Sequence, residues 1–403
     1  MGDQGLRAAS ALPLLHHSGI LQYPHRHSGG RCAFVAAGCP PASPAGTAGA
    51  DALGSCDAME RIAAGENRRI YWADVVRAVA IFLVVLAHVN IKGDGAPWIP
   101  PFYYVLSRMG VPFFFMLSGY LLLQKQEPIG VFFLKRVRKV LVPFVIWSVI
   151  YMVFWNREFA GVALSVQAVV RSLIRILRGP RANHLWFFYA LFGLYLITPV
   201  LRVLVAKGTR REVLYLCGVW LMAGPVLAWV EEFTVIRVGV DLRYVTGYLG
   251  YFLLGYFLGG LHPGRRAMAG AALLHLLGFG VTFWGLWFVT RGGQHRDAFE
   301  SYLSLGVVMM SLGMFMLLRW LGERTPLLAR RLAFAVSRVS FGVYLIHVMV
   351  MDVVVTLGLE GIPQVLRWPS ALLIPLTAVV VLAVSSLVVR LMQRVPLLRY
   401  AVP

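Results

Sequence analysis

"RAVAIFLVVLAH", residues 77–88, sets ten apolar residues between an arginine and a histidine. The ten suit a hydrocarbon core, yet a guanidinium at bilayer depth costs about 2.5–3.5 kcal/mol on insertion scales. The two polar ends must therefore face protein or water. Arg77 and His88 lie eleven positions apart, which brings them onto one helix face about 16 Å apart. Asp74 falls one turn before Arg77, on nearly the same stripe. Three ionisable groups along one side of an apolar span predict a hydrated cleft on that side. Snorkelling of the end residues to the interfaces is the alternative.

The rest of the chain agrees with a membrane setting. Of its 403 residues, 59% are hydrophobic and only 14% charged, with mean hydropathy +0.71. A soluble core cannot hide that much apolar surface, so the expected class is all-α, a polytopic integral membrane helix bundle. The net charge of +20 resembles a nucleic-acid footprint. Its basic residues, however, sit in short loops between apolar runs, where they report topology, and no nucleic-acid partner is expected. Cys32, Cys39, Cys56 and Cys217 follow no disulfide or metal spacing, and no metal site is expected.

Residues 1–58 are small, polar and rich in Gly and Pro, and read as a disordered tail. Met59 opens "MERIAAGENRRIYWADVV", a natural lead into the first span and a candidate translation start. The membrane domain is placed at 59–396, followed by a short C-terminal tail at 397–403. Ten spans are expected, near 71–90, 101–124, 138–155, 184–206, 212–230, 244–261, 267–290, 301–321, 338–358 and 369–391. With the lead placed in the cytoplasm, the inner loops hold 22 Lys and Arg and the outer loops 11. Both termini are then inside. Five of the 11 outer cations lie in residues 156–183, where "ALSVQAVVRSLIRILRGP" has the spacing of an amphipathic helix on the membrane surface.

The second span, "YYVLSRMGVPFFFMLSGYLLL", buries Arg108 in an apolar run and continues to Ser118, Gly119 and Tyr120. Ser118 and Gly119 also suit close helix packing. The third span is entered through "FFLKRVRKVLVPFVIWS", with Lys135, Arg136, Arg138 and Lys139 at the inner lip. Such a cluster anchors orientation, contacts anionic lipid, or binds a polyphosphate.

Taken in order, Arg77-x10-His88, "RMGVPFFFMLSGYLLL", "KRVRKVLVPFVIWS", "HLWFFYALFGLYLITPVL" (184–201) and "VSFGVYLIH" (339–347) resemble the acyltransferase 3 membrane family, from about residue 70 to 391. That family includes O-acetyltransferases of bacterial surface polysaccharides. One departure stands out: a family pattern of two arginines three apart at the inner lip reads here as Arg136 and Lys139. Lysine keeps the charge and loses the bidentate fork.

The resemblance implies transfer of an acyl group, commonly acetyl from acetyl-CoA as co-substrate, onto a hydroxyl of a sugar, glycan or glycosylated small molecule. It implies no permanently bound cofactor. A hydroxyl needs a base at neutral pH, and imidazole suits that task. His88 is expected to take the acceptor's proton or to relay the acyl group. Arg77 is expected to stabilise the oxyanion or orient the thioester, with Asp74 holding Arg77. The four lip cations at 135–139 are expected to bind the coenzyme A phosphates. Arg108, Ser118, Tyr120, His184, Trp186, Tyr344 and His347 are expected to bind substrate. His275 reads as structural, and Glu231, Glu232, Asp241, Asp297 and Glu300 as outer-loop surface. The rival class is a secondary transporter of a small acidic or acylated metabolite, against which no internal repeat is visible.

Overall fold

The computed structural model describes residues 70–89, 96–155, 166–237, 247–291, 297–356 and 369–403. The expected disordered tail, the Met59 lead and Asp241 lie outside the described residues. Chain contacts separate residues 1–68 from 69–403, and all that follows concerns the second unit.

Every regular element among the described residues is helical. The first two spans give α1 (Tyr71–Leu86), α2 (Ile99–Ser107) and α3 (Gly110–Leu123). The basic lip lies on α4 (Ile129–Arg136) and the π-helical turn Val137–Leu141, before α5 (Val142–Ile150) and the amphipathic α6 (Val166–Arg178). Next come α7 (Trp186–Lys207), α8 (Arg210–Leu221), α9 (Leu227–Phe233), α10 (Leu249–Gly259) and α11 (Arg265–Arg291). The chain ends with the single turn α12 (Asp297–Glu300), α13 (Leu305–Arg324), α14 (Leu327–Ser337), α15 (Ser340–Thr356) and α16 (Ser370–Arg394).

Apolar on nearly every side, α1 is the helix this sequence must enclose. It packs against α2, α3, α13, α14, α15 and α16. Trp72, Val76, Ala80, Ile81, Val84 and Val85 are all buried there. Helix α1 is thus the axis of the bundle. Lipid-facing apolar side chains sit elsewhere, such as Leu196 and Val200 on α7, Leu276 and Phe288 on α11, and Leu372 on α16, all exposed.

Among the described residues, six helices are long and apolar enough to cross a membrane, and seven if α14 and α15, bent by 67°, count as one broken span. The expected ten is somewhat more than this. The other three segments are helical but do not reach the length of a span as single helices. The 16 residues of α1 extend about 24 Å and the 11 of α10 about 16 Å, against a core of about 30 Å. The third expected span, 138–155, is interrupted by π-helical turns at Val137–Leu141 and Tyr151–Trp155.

Helices α3 and α10 approach to backbone contact. A Cβ on Gly119 would overlap the Phe252 carbonyl, and one on Gly255 would overlap Met116. "GYFLG" (255–259) is a small-xxx-small pair that the sequence reading passed over. The chain end also docks back. Trp147 Nε1 donates to the Ala401 carbonyl at 3.0 Å, and Val402 is buried.

Candidate active site

Helix α1 stops at Leu86, and the two residues beyond it form a turn. His88, in that turn, meets two other imidazoles. Its ring lies 4.8 Å from that of His347 and 6.1 Å from that of His184, with 5.1 Å between the latter two. His347 comes from the middle of α15. His184 comes from the 3-10 turn Asn183–Leu185 ahead of α7, and the Tyr344 hydroxyl donates to its carbonyl at 2.8 Å.

Hydrogen bonding fixes the tautomers, because a backbone carbonyl only accepts. His88 Nδ1 lies 2.8 Å from the Val84 carbonyl, so that nitrogen carries the proton. His347 Nδ1 lies 2.8 Å from the Tyr344 carbonyl and is likewise protonated. This leaves His347 Nε2 as an acceptor, 3.3 Å from His88 Nδ1. The ring nitrogen of His88 with no occupant is Nε2, the basic one.

A cavity of about 260 Å³ opens in front of His88, lined also by Tyr104, Arg108, Asn183, His184, Trp186, Tyr302 and Tyr344. His347, fully buried, is not among the lining residues and stands behind His88, against which its ring packs. Arg108 follows the last turn of α2. Its guanidinium sits 4.2 Å from the Tyr104 ring centre and 4.8 Å from that of Tyr302. It donates to the Tyr104 hydroxyl, which donates in turn to Glu300 at 3.1 Å. Glu300 is thus part of the cation's support, and its reading as plain outer-loop surface is corrected. The Nε of Arg108 and both ring nitrogens of His184 are buried without a hydrogen-bond partner. The Leu345 carbonyl beside His184 already accepts from Tyr151 at 2.8 Å. Buried polar atoms are almost always satisfied, so these are the atoms a ligand in the cavity would satisfy.

Arg77 and Asp74 are elsewhere. Arg77 Nη1 donates to Ser337 Oγ at 3.2 Å, and Ser337 Oγ donates to Asp74 Oδ1 at 2.7 Å. Ser337 ends α14 at the bend into α15. Neither charged residue lines the His88 cavity. The cation that lines it beside His88 is Arg108, not Arg77. Ser118 and Tyr120 also lie outside that lining. Tyr120 packs its ring 4.8 Å from Trp72, at the opposite end of α1, and Gly259 lies against it. The sequence supplies the face of such residues but not their depth.

At the basic lip, Glu127 takes Lys135 Nζ at 2.5 Å and Arg202 Nη2 at 3.0 Å. The hydrogen bond from Lys135, then that from Arg202, hold its carboxyl below the usual carboxylate range. Arg136 is half-buried, 5.5 Å from the Phe132 ring centre and 5.7 Å from that of Tyr195, and its Nε has no partner. Arg138 and Lys139 project outward from the π-helical turn. Glu127 and Arg202 were missed as lip residues, although a lone acid in "QKQEPIG" among so many cations marks Glu127. His275 bridges α11 and α13 through Nδ1, 3.1 Å from the Met310 carbonyl, a structural role. Among the described residues no three His, Cys, Asp or Glu are placed to hold a metal ion.

The model of one family, described as an acyltransferase domain, matches residues 70–390. The chain belongs to the acyltransferase 3 family. The match spans α1 and most of α16, so both ends of the histidine site and the whole basic lip fall within the family's domain. No curated protein and no solved structure matches the chain. Membership makes the chain a membrane acyltransferase, with an acyl donor and an acceptor to be accommodated in a bilayer setting.

Proposed function

We propose that the protein transfers an acyl group, acetyl in the simplest case, from cytoplasmic acyl-CoA to a hydroxyl of a sugar, glycan or glycosylated small molecule. The observation that carries this reading is the cavity where the bare Nε2 of His88 meets a supported arginine. Nε2 of His88 takes the acceptor's hydroxyl proton as that oxygen attacks the thioester carbonyl carbon. The C–S bond breaks, the new ester C–O bond remains, and the thiolate leaves with the proton from His88 as the free thiol. As His88 becomes imidazolium, its Nδ1–H shares charge with His347 Nε2. Arg108, held at the cavity, stabilises the developing oxyanion. His184, Trp186 and Tyr344 orient the acceptor.

The donor phosphates bind Arg136, Arg138 and Lys139, with Lys135 already engaged by Glu127. Arg77 and Asp74 act at a distance from the reacting atoms, orienting the donor's arm through the α14–α15 bend. The chain lies in the cell membrane with both termini in the cytoplasm, as the loop charges favour. Incubating membranes with radiolabelled acetyl-CoA and extracting lipids and glycans tests this reading. Label transfer that is lost in His88→Ala supports it, and transfer retained in that variant overturns the assignment of the base.

A further inference from the structure

Helix α6 is left over by this chemistry, and its surface divides into three strips. Projected at about 100° per residue, Ala168, Ser172 and Ile176 form one strip, turned toward the protein: Ala168 and Ile176 are buried and Ser172 is half-buried. A second strip holds Val166, Val169, Val170, Leu173 and Leu177, all exposed, the first and last at 81% each. The third holds Arg171, Arg175 and Arg178, also exposed. The apolar and basic strips are centred about 150° apart, with exposed Ile174 between them. A helix lying flat at a bilayer surface meets this set of environments: protein on one flank, acyl chains below, headgroups above.

We infer that α6 is a docking surface for the anionic headgroups of the surrounding lipid, which its basic strip holds. Charge complementarity selects the occupant. Three exposed guanidinium groups at helical spacing match phosphate oxygens, Arg171 also donating Nε to the Gln167 carbonyl at 3.3 Å, while the apolar neighbours favour a lipid over a purely aqueous anion. The loop-charge count supplies a second argument. These arginines belong to the segment that holds five of the 11 outer cations, against the prevailing bias, and an anionic ligand accounts for their position. The helix is also tied to the segment that carries His184: only residues 179–182 separate α6 from Asn183 and His184, and the Tyr189 hydroxyl donates to the Ile176 carbonyl. This inference rests on the membrane placement of the chain and not on the transfer reaction, so a binding measurement tests it even if no transfer is found.

The test is native mass spectrometry of the full-length detergent-purified protein, titrated with phosphatidylglycerol, phosphatidylcholine or soluble glycerol phosphate. The wild type should bind phosphatidylglycerol in preference to both other probes. Replacing Arg171, Arg175 and Arg178 together by Gln should weaken that binding at least about ten-fold, since each basic group near an anionic surface contributes on the scale of a several-fold change. Replacing the same three by Lys should retain it, which separates lost charge from lost folding. A variant with Arg265→Gln and Arg266→Gln, exposed at the start of α11, should bind as the wild type does. The inference is overturned if phosphatidylcholine binds equally well, if glycerol phosphate competes as strongly as the lipid, or if the triple Gln variant keeps its phosphatidylglycerol.

Discussion

His347 Nε2 stands 3.3 Å from His88 Nδ1, with its own Nδ1 anchored on the Tyr344 carbonyl at 2.8 Å. The second imidazole therefore offers a second, longer acceptor to the His88 Nδ1–H, which the Val84 carbonyl takes at 2.8 Å, and helps to orient the first ring as a carboxylate does in other base-activated sites. Leucine at 347 removes the acceptor, and kcat should fall about 10–100-fold with KM little changed. Glutamine offers a carbonyl oxygen in its place and should restore part of the loss. The pH–rate profile should shift in His347→Gln, which a merely structural role would not produce. Steady-state kinetics across pH on both variants provides the check.

Arg108 is held over two tyrosine rings and tied through Tyr104 to Glu300. A fixed cation at a developing oxyanion contributes mainly to kcat. Arg108→Gln should lower it about 10²–10³-fold. Arg108→Lys keeps the charge without the fork and should fall between that variant and the wild type. Glu300→Gln should reproduce a smaller share of the same loss, because it loosens the tyrosine and leaves the guanidinium in place.

His88, Arg108, His184, Trp186 and Tyr344 all line one cavity: His88 and Arg108 stand out in the sequence as ionisable groups in apolar runs, His184 and Trp186 by opening a span, and Tyr344 by its helical spacing to His347. Arg77 was assigned to the same cavity because helical projection puts it on the face of His88. Projection is blind to the 16-residue limit of α1, and to Ser337, a residue 260 positions away that claims the guanidinium. Tyr104, Tyr302 and Asn183 carried no signal, since aromatic and amide side chains near membrane interfaces are ordinary. The helical class followed from hydropathy alone. The span count overshot because a helix enclosed by six others need not match the bilayer thickness.

Close packing of α3 on α10 predicts a sharp response at Gly119. An added methyl meets backbone, which cannot rotate away, at the Phe252 carbonyl. Gly119→Ala should destabilise the protein by about 3 kcal/mol or more, beyond ordinary overpacking. Gly193→Ala, where nothing lies within 4 Å of the new atom, should be near neutral. Thermal unfolding in detergent compares the two.

Glu127 gives the lip a defined acid response. Its carboxyl is held below the ordinary value by the Lys135 hydrogen bond first and Arg202 second. A depressed folded-state pKa contributes stability that is present above the unfolded value of about 4.3 and lost as pH falls through the folded one. The wild type should therefore lose more thermal stability than Glu127→Gln between neutral pH and pH values below about 4.3. Equal losses in the two proteins would show that the Glu127 pairs contribute nothing to this response.

Ser337 is the joint through which α1 meets the broken helix. One hydroxyl accepts from Arg77 at 3.2 Å and donates to Asp74 at 2.7 Å, immediately before a 67° bend. Removing it leaves two charged groups without a shared partner, and hydrogen bonds to charged groups contribute about 1.5–3 kcal/mol each. Ser337→Ala should lower the apparent Tm, while Ser337→Thr, which keeps the hydroxyl, should lower it less. Activity should fall less than in His88→Ala, since the reacting atoms lie about 16 Å along the helix from Arg77. If the bend orients the donor, the loss in Ser337→Ala will appear mainly in KM for acyl-CoA. A loss confined to kcat with KM unchanged would instead place Arg77 at the reacting atoms, and the separation of the two clusters would be wrong.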